Sequence, residues 1–372
     1  MATCRGGRSL AARDSGRPVS IGEDTQRISR TRKICELILM MRLPQFDYLI
    51  PRTLPEAVIM KRDAGPAGMF VAGGTDLYPN MKRRQQTPGT VISVTRLAEL
   101  ASISGGGQAG MRIGASVSLT DIVEHSLINR SYPVVAKAAA SISTPILRNM
   151  GTIGGNLLLD TRCNYYDQNY EWRKAINFCM KKDGEICWVA PSSPKCWAVQ
   201  SSDLAPVMVA LDARLRFASP DGERTLPASE VYNNDGISYL RKKPDELLVE
   251  IILPPNDSVR ASYVKLRRRG SFDFPVLGVA AAIATSGGGI VLSAKVVLGG
   301  VAPAPIQVIE AEQALIGSRL DREHIEAAAE ACYLKARPLD NTDFLMNWRK
   351  QMARPYATRA LEQLLELGDP RW

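Results

Sequence analysis

Four cysteines that could bind a metal lie in one short, aromatic-rich stretch of this chain. Cys163, Cys179, Cys187 and Cys196 are four of only seven cysteines in 372 residues, with the spacing C-x15-C-x7-C-x8-C. Thiolates are ligands of zinc and of iron–sulfur clusters, and four of them can hold one metal centre. The spacing alone leaves three hypotheses open: an iron–sulfur cluster, a zinc site, or four unconnected thiols.

The composition around these cysteines bears on those hypotheses. No CxxC pair, which is the usual knuckle of a structural zinc site, occurs anywhere in the chain. Structural disulfides would need an oxidising compartment, and nothing at the N-terminus resembles a secretion signal, so we expect a cytoplasmic protein. Trp172, Phe178, Trp188 and Trp197 could form the apolar shell that limits access of water to a cluster, or could simply pack the loop.

Two glycine-containing loops are candidates for binding an anion. They are Ala72-Gly-Gly-Thr-Asp-Leu77 and Gly151-Thr-Ile-Gly-Gly-Asn156. Paired glycines let backbone N–H groups converge on an anion, because no Cβ blocks the approach. Neither loop matches G-x-G-x-x-G or the Walker pattern, which argues against Rossmann and P-loop binding. One such loop is more often a turn, whereas two in one domain predict a diphosphate-bearing ligand.

The elements that would position these residues are a mixture of helices and strands. Up to residue 254, short apolar runs such as 90–94 alternate with amphipathic stretches such as 54–62. The last third differs, with strands predicted at 262–268, 277–285 and 290–298 and then helices at 321–337 and 347–367. Strands followed by helices predict a separate, smaller α+β domain with a three-stranded sheet, beginning near 256–260.

Composition and charge exclude some classes of function. A hydrophobic content of 45% and a charged content of 23% are typical of a globular protein. The net charge is +9, but residues 1–42 contain nine Arg/Lys and four Asp/Glu, which leaves 38 basic and 34 acidic residues in the other 330. Basic and aromatic residues are not interleaved, so nucleic-acid binding is not predicted. We expect residues 1–40 to be a disordered extension.

The paired loops carry a resemblance to a known family. Val71-Ala-Gly-Gly-Thr-Asp-Leu77 together with Arg148-Asn-Met-Gly-Thr-Ile-Gly-Gly-Asn156 resembles the FAD-binding subunit of the xanthine dehydrogenase and carbon monoxide dehydrogenase family of molybdenum hydroxylases. The resemblance covers residues 41–368. The stretch from Asp160-Thr-Arg-Cys-Asn-Tyr-Tyr166 onward is similar to the insert of the 4-hydroxybenzoyl-CoA reductase β subunit, a type that carries a [4Fe–4S] cluster.

This resemblance implies a fold and a domain organisation. The fold class is α+β, with a two-part FAD-binding domain like that of vanillyl-alcohol oxidase and p-cresol methylhydroxylase (PCMH). That domain would span residues 41–258, with the cysteine insert at 160–200. A C-terminal domain like that of carbon monoxide dehydrogenase flavoproteins would span 259–372.

The resemblance also implies site residues. The FAD diphosphate would be wrapped, mainly through N–H groups, by Phe70, Val71, Ala72, Gly73, Gly74, Thr75, Asp76 and Leu77 and by Thr152, Ile153, Gly154, Gly155 and Asn156. Asp203 would be an acidic contact to FAD, with Leu248 and Lys265 beside the flavin ring and Ile142, Asn164 and Phe272 as further contacts. The cluster ligands would be the four cysteines, and no residue of this chain would transform a substrate.

Other interpretations of these residues remain open. Asp203 could be a helix cap and Lys265 a solvated charge on a strand. His125 and His324 both lie in predicted helices, where we expect structural roles.

The implied function is electron transfer. FAD would relay electrons between an external carrier such as ferredoxin, the [4Fe–4S] cluster and a [2Fe–2S] partner subunit. That partner would connect to a large subunit with the molybdenum cofactor, in a heterotrimer. The alternatives from other classes are a self-contained FAD-dependent oxidase of the vanillyl-alcohol type and a zinc-stabilised scaffold without redox chemistry.

Overall fold

Short apolar strands build a parallel sheet in the N-terminal part of the chain. The computed structural model describes residues 42–106, 109–256 and 258–366. Strands β1 (Asp47–Leu49), β2 (Gly68–Val71) and β3 (Thr90–Ser93) pair in the order β1-β3-β2, and both pairings are parallel. The first glycine loop directly follows β2, so it leaves the sheet at the carboxyl ends of the strands, where ligands of such sheets usually bind.

Helices flank this sheet on either side of the first glycine loop. Helix α1 (Leu54–Ala64) begins at Thr53, whose side chain accepts a hydrogen bond from the N–H of Glu56. Such a cap satisfies one of the N–H groups that a helix start leaves without a partner. Helix α2 (Leu77–Lys82) follows the loop.

A five-stranded antiparallel sheet forms the second part of the fold. Its strands are β4 (Ile103–Gly105), β5 (Met111–Gly114), β6 (Arg214–Ser219), β7 (Gly222–Pro227) and β8 (Leu247–Leu253), in the order β4-β5-β8-β6-β7. A large hydrophobic core joins this sheet to the helices that precede and follow the second glycine loop. These helices are α3 (Leu119–Glu124), α4 (Ser126–Ser131), α5 (Pro133–Ala140), α7 (Ile153–Leu157) and α9 (Leu204–Ala210), while the short helix α6 (Pro145–Arg148) has no buried residue.

The cysteine insert lies between α7 and α9 and is mostly irregular. Its one helix in the described residues is α8 (Tyr170–Ala175), which Asn169 caps by accepting a hydrogen bond of 2.8 Å from the N–H of Trp172. Residues 158–169 and 176–203 hold no other helix and no strand. Because the insert has so little regular structure, its side chains decide how it packs.

The C-terminal part is a four-stranded antiparallel sheet covered by helices. Strands β9 (Val259–Leu266), β10 (Leu277–Thr285), β11 (Val291–Gly299) and β12 (Ile306–Gln307) pair in the order β12-β11-β10-β9. The predicted α+β class is confirmed, but the sheet has four strands and not three, because β12 is too short to leave a pattern. Helices α10 (Ile309–Leu315), α11 (Arg322–Lys335) and α12 (Met346–Glu366) follow; the first of these was missed.

The central strand β10 is buried on both of its faces, which explains its unbroken run of apolar residues. Val279, Ala281 and Ile283 point into a core shared with the C-terminal helices. Ala280 and Ala282, which alternate with them, belong to the large core shared with α9 and the five-stranded sheet. The C-terminal sheet is therefore packed directly against the rest of the fold.

The described residues from Pro44 onward belong to one compact unit. The predicted division between residues 258 and 259 stays a prediction, and the expected extension 1–40 lies outside the described residues. None of the helices in the described part is both long and apolar enough to cross a lipid bilayer.

Candidate functional site

The first glycine loop presents a run of backbone N–H groups without internal partners. Within the described residues, no backbone or side-chain acceptor receives a hydrogen bond from the N–H groups of residues 73–76. Gly74 has a φ of 70°, a left-handed conformation that glycine adopts without strain. Successive N–H groups in such a turn form a concave anion site. The loop therefore fits the diphosphate of FAD.

The two glycine loops lie against each other at a point where only glycine fits. A Cβ added to Gly73 would stand 1.6 Å from the carbonyl oxygen of Met150, which is an impossible contact. A Cβ on Gly151 would lie 3.6 Å from the Thr75 hydroxyl oxygen. The structure thus brings together two motifs whose first glycines, Gly73 and Gly151, are 78 residues apart in the chain.

The second loop is built differently from the first, because it starts helix α7. The Thr152 hydroxyl caps the helix by accepting a hydrogen bond of 3.1 Å from the N–H of Gly155. The N–H groups of Ile153 and Gly154 donate to carbonyl groups of residues 115–117. These N–H groups are used within the protein, so the predicted diphosphate contacts of residues 152–156 stay predictions.

Asn156 connects the second loop to helix α9. Its Oδ1 atom accepts hydrogen bonds from the Ser202 hydroxyl at 2.6 Å and from the N–H of Leu204 at 3.3 Å. The side-chain oxygen of Asn156 therefore fixes the start of α9. In the described residues, the second loop connects helices α7 and α9 through these hydrogen bonds.

A buried ion pair joins the start of α9 to strand β9. The Lys265 ammonium lies 2.9 Å from Asp203 Oδ2, and the two side chains are 5% and 2% exposed. The Tyr263 hydroxyl donates to Asp203 Oδ1 at 2.7 Å. Burial raises the pKa of the Asp203 carboxyl and lowers that of the Lys265 ammonium, and the charge of each partner opposes the shift of the other.

This ion pair also reaches the segment that leads to the second loop. Lys265 donates to the carbonyl oxygen of Ser141 at 3.0 Å, directly before Ile142. The N–H of Phe272 donates to the carbonyl oxygen of Ser143 at 2.9 Å. Four of the predicted FAD contacts, Asp203, Lys265, Ile142 and Phe272, therefore meet around residues 141–143. Asp203 precedes α9, but its carboxylate does not cap the helix.

The remaining predicted contacts lie elsewhere. Leu248 is 2% exposed and belongs to the large hydrophobic core. Asn164 is exposed, and its N–H donates to the carbonyl oxygen of Asn341 at 2.9 Å. Phe70 packs on a small core formed by α1 and its neighbours. Their roles toward FAD stay predictions.

Replacing Asp203 with alanine is expected to destabilise the protein by about 3–5 kcal/mol, because the buried Lys265 charge loses its partner. Urea unfolding of the purified variant measures this loss. The matched control is Glu326→Ala, which removes a carboxylate that is 61% exposed and paired with Arg322. An exposed pair contributes only about 0–1 kcal/mol, so equal losses in the two variants would contradict the assignment.

The four cysteines of the insert come together around one cavity. The cavity is lined by Cys163, Cys179, Cys187 and Cys196. All four are buried free thiols. Trp188 is the one of the four predicted aromatic residues that lines the cavity, and its indole N–H donates to the carbonyl oxygen of Phe178. Tyr165, Tyr166, Met180 and Val189 complete an apolar wall.

The thiols differ in how easily they lose a proton. Burial raises the pKa of Cys163 to about 12 and also raises that of Cys179. The Cys196 thiol donates a hydrogen bond to Cys187, which lowers the pKa of Cys187 and raises that of Cys196. Four thiols in one apolar cavity cannot all ionise without a cation among them, so this donor set suits a metal centre.

No group of three or more His, Cys, Asp or Glu side chains is arranged to hold a metal ion in the described residues. A single zinc ion needs its ligands to converge on one point at bonding distance. The ligands of a [4Fe–4S] cluster bind four different iron atoms and therefore stand further apart. The four thiols share one cavity, and the choice between zinc and an iron–sulfur cluster belongs to the proposal below.

Arg162 joins the cysteine insert to the first glycine loop. Its guanidinium donates to Asp76 at 2.8 Å and to Asp167 at 3.4 Å, and it lies 3.8 Å above the ring of Phe274. Because Arg162 precedes Cys163, this contact brings the segment that carries Cys163 to the loop with the free N–H groups. Sequence reasoning missed Arg162, although its position between the two motifs was a signal.

Comparisons with known proteins identify the family of this chain. Residues 44–256 match the family described as the FAD binding domain in molybdopterin dehydrogenase. The chain belongs to this family. Residues 261–364 match the CO dehydrogenase flavoprotein C-terminal domain, so the expected resemblance is confirmed for both parts of the chain.

Individual relatives agree with this family of FAD-binding subunits. The aldehyde oxidoreductase FAD-binding subunit PaoB of Escherichia coli (strain K12) is 32% identical over 318 residues, which cover 83% of this chain and 96% of PaoB. The carbon monoxide dehydrogenase medium chain of Hydrogenophaga pseudoflava is 26% identical over 319 residues, or 86% of this chain and 96% of the relative.

A solved structure of carbon monoxide dehydrogenase from Hydrogenophaga pseudoflava superimposes with a TM-score of 0.71 and 26% identity. The superposition covers 88% of this chain and 99% of the Hydrogenophaga pseudoflava chain. This similarity confirms the fold of a molybdenum-hydroxylase FAD-binding subunit over nearly its whole length.

Proposed function

We propose that this chain is the electron-transfer subunit of a molybdenum enzyme complex, with FAD and a [4Fe–4S] cluster bound side by side. Membership of the family supports the binding of FAD by this chain. The observation that carries the cluster is the cavity lined by all four insert cysteines. The contact between Arg162 and Asp76 supports a short path between the two cofactors.

The residues of the chain have distinct tasks in this proposal. The N–H groups of residues 73–76 bind the diphosphate, and Gly73 lets the two loops close on each other. The buried pair of Asp203 and Lys265 orients the region around Ile142 beside the flavin. FAD when bound supplies a redox group that exchanges one or two electrons. The apolar wall around the cysteines excludes water from the second redox group.

The partners and the direction of electron flow are part of the same proposal. A large subunit with the molybdenum cofactor and a small [2Fe–2S] subunit would complete a heterotrimer, and an external carrier such as ferredoxin would exchange electrons with this chain. In a complex of the 4-hydroxybenzoyl-CoA reductase type, electrons would enter through the insert cysteines. In an oxidative hydroxylase they would flow the other way. In the part of the chain that the structure describes, five buried cysteines are free thiols, which supports a reducing, cytoplasmic compartment.

Two alternatives have less support. A self-contained flavin oxidase needs a catalytic base or a residue that links the flavin covalently. His324 is a candidate for neither, because its ring is partly exposed and hydrogen-bonded to Asp321 at 2.7 Å, and His125 ends a short helix. A zinc scaffold without redox chemistry does not account for membership of a family of FAD-binding domains.

The test is to purify the chain anaerobically and to quantify FAD, iron, sulfide and zinc. We expect about four iron and four sulfide atoms per chain together with one FAD, and a reduced sample with the electron paramagnetic resonance signal of a [4Fe–4S] cluster. FAD without iron would refute the cluster and leave the family function intact. Zinc without iron or FAD would refute the whole proposal.

A further inference from the structure

Two buried cationic side chains lie in the cysteine insert, and none of the contacts described for the glycine loops involves them. They are Arg173 in helix α8 and Lys181, which follows Cys179 by two residues. The Arg173 side chain is fully buried, and that of Lys181 is 6% exposed. A buried charge is costly unless an opposite charge lies near it, so the surroundings of each side chain matter.

Arg173 has no carboxylate at hydrogen-bonding distance. Its nearest anion in the described residues is Asp183, 3.9 Å away and 43% exposed. The guanidinium donates through Nη2 to the carbonyl oxygens of Arg83 and Arg84, both at 3.2 Å. Its Nε and Nη1 atoms are buried and make no hydrogen bond. Arg173 therefore holds a positive charge inside the protein that its own neighbours compensate poorly.

Arg173 is connected to the segment that carries Cys179. The ring of Phe178, which directly precedes Cys179, lies 6.0 Å from the guanidinium carbon. The N–H of Phe178 donates to the Arg173 carbonyl oxygen at 2.6 Å, so the two backbones are in contact. Arg173 therefore places a buried positive charge against the residue next to Cys179, which lines the cavity.

Lys181 is one of the residues that line the cavity. Its ammonium donates to Asp160 at 2.8 Å, to the Thr161 hydroxyl at 2.7 Å and to the carbonyl oxygen of Gly236 at 2.8 Å. Asp160 is not among the cavity-lining residues, so Lys181 adds a buried positive charge to the wall while its counter-ion lies outside the wall.

We propose that Arg173 and Lys181 are the counter-charges of the cysteine-bound iron–sulfur cluster and that they raise its reduction potential. The inference rests on the cluster of the proposed function. When the cluster and its four thiolates accept one electron from a reductant, they gain one negative charge, and no bond or proton is exchanged. A fixed positive charge stabilises the reduced state more than the oxidised state, because the reduced state is the more negative of the two.

The test is a redox titration of the purified holoprotein with dithionite, followed by electron paramagnetic resonance. Arg173→Gln and Lys181→Gln remove one charge each, at two separate places. Each is expected to shift the one-electron reduction equilibrium about tenfold toward the oxidised cluster, which lowers the potential by about 59 mV. Arg173→Lys keeps the charge and is expected to retain a potential close to that of the wild type.

Two neighbouring residues give matched controls. Lys174→Gln removes a charge from the same helix, and Lys182→Gln removes one beside Lys181. The Lys174 side chain is exposed, and that of Lys182 is 32% exposed. Water and salt screen such charges, so neither variant should shift the potential measurably. If the controls shift it as much as the buried variants do, the inference is wrong.

The outcomes separate this inference from the function on which it rests. Wild-type protein without iron would refute the cluster itself. Iron-loaded Arg173→Gln and Lys181→Gln variants with an unchanged potential would refute only the role of the two cations. A lowered potential in either variant, with rescue by Arg173→Lys at the first position, would support it. Because the two positions are independent, a variant that fails to fold at one leaves the other to decide.

Discussion

Replacing Cys163 with alanine is expected to remove the iron–sulfur cluster and to leave FAD bound. A [4Fe–4S] cluster with three thiolates lacks one of its four protein ligands, so iron content should fall from about four atoms per chain to less than one after purification in air. The side chain of Cys163 is buried and lines the cavity, and alanine is small enough to cause little strain there. Iron analysis and the visible spectrum measure the result.

The matched control for this variant is Cys332→Ala. Cys332 is also a buried free thiol, but it lies in helix α11 among the residues of the C-terminal core. Its replacement removes the same sulfur atom without touching the insert, so iron and FAD should both remain. Equal iron in the two variants would contradict the assignment of Cys163 as a ligand, whereas loss of FAD together with iron would indicate that the insert supports the FAD loops.

Replacing Gly73 with alanine is expected to have the largest effect on FAD. The new Cβ would stand 1.6 Å from the Met150 carbonyl oxygen, so the two glycine loops must move apart. That movement displaces the N–H groups of residues 73–76, and a forced backbone shift of this kind costs about 1–3 kcal/mol. We expect FAD affinity to fall about tenfold or more, because each 1.4 kcal/mol is a factor of about ten.

Flavin fluorescence during titration of the FAD-free protein measures this affinity. Gly287→Ala is the control, because a Cβ at that position would meet nothing within 4 Å. It should leave both the fold and the affinity unchanged. If Gly73→Ala binds FAD as tightly as the control does, the close contact of the two loops is not what shapes the diphosphate site.

Residue types and spacing predicted the main components of the site. Glycine pairs show where a backbone can approach a ligand or another loop, and the contact between Gly73 and Met150 is of this kind. The cysteine insert was recognisable because four thiols in a polar, aromatic segment are unusual for a core. The long apolar run of β10 also predicted its strand, although not the two different cores on its faces.

Short elements and their partners were harder to predict. Strand β12 has two residues and helix α10 has seven, so neither gives a periodic pattern long enough to identify. The second glycine loop looked like the first, but its N–H groups bond to residues 115–117, which lie more than thirty residues earlier in the chain. The local sequence does not show which distant carbonyl groups will accept these hydrogen bonds.

The sequence by itself determined which chemistry the chain offers: glycine pairs that let backbone N–H groups approach a ligand, and four thiols in a polar, aromatic segment. Only the tertiary structure decided which of its many charges are buried near that chemistry. Arg173 and Lys174 are neighbours of similar type, yet one is fully buried and the other is exposed. The difference arises because burial depends on which distant segments cover a residue. Desolvation then determines how strongly the charge of that residue interacts with other groups.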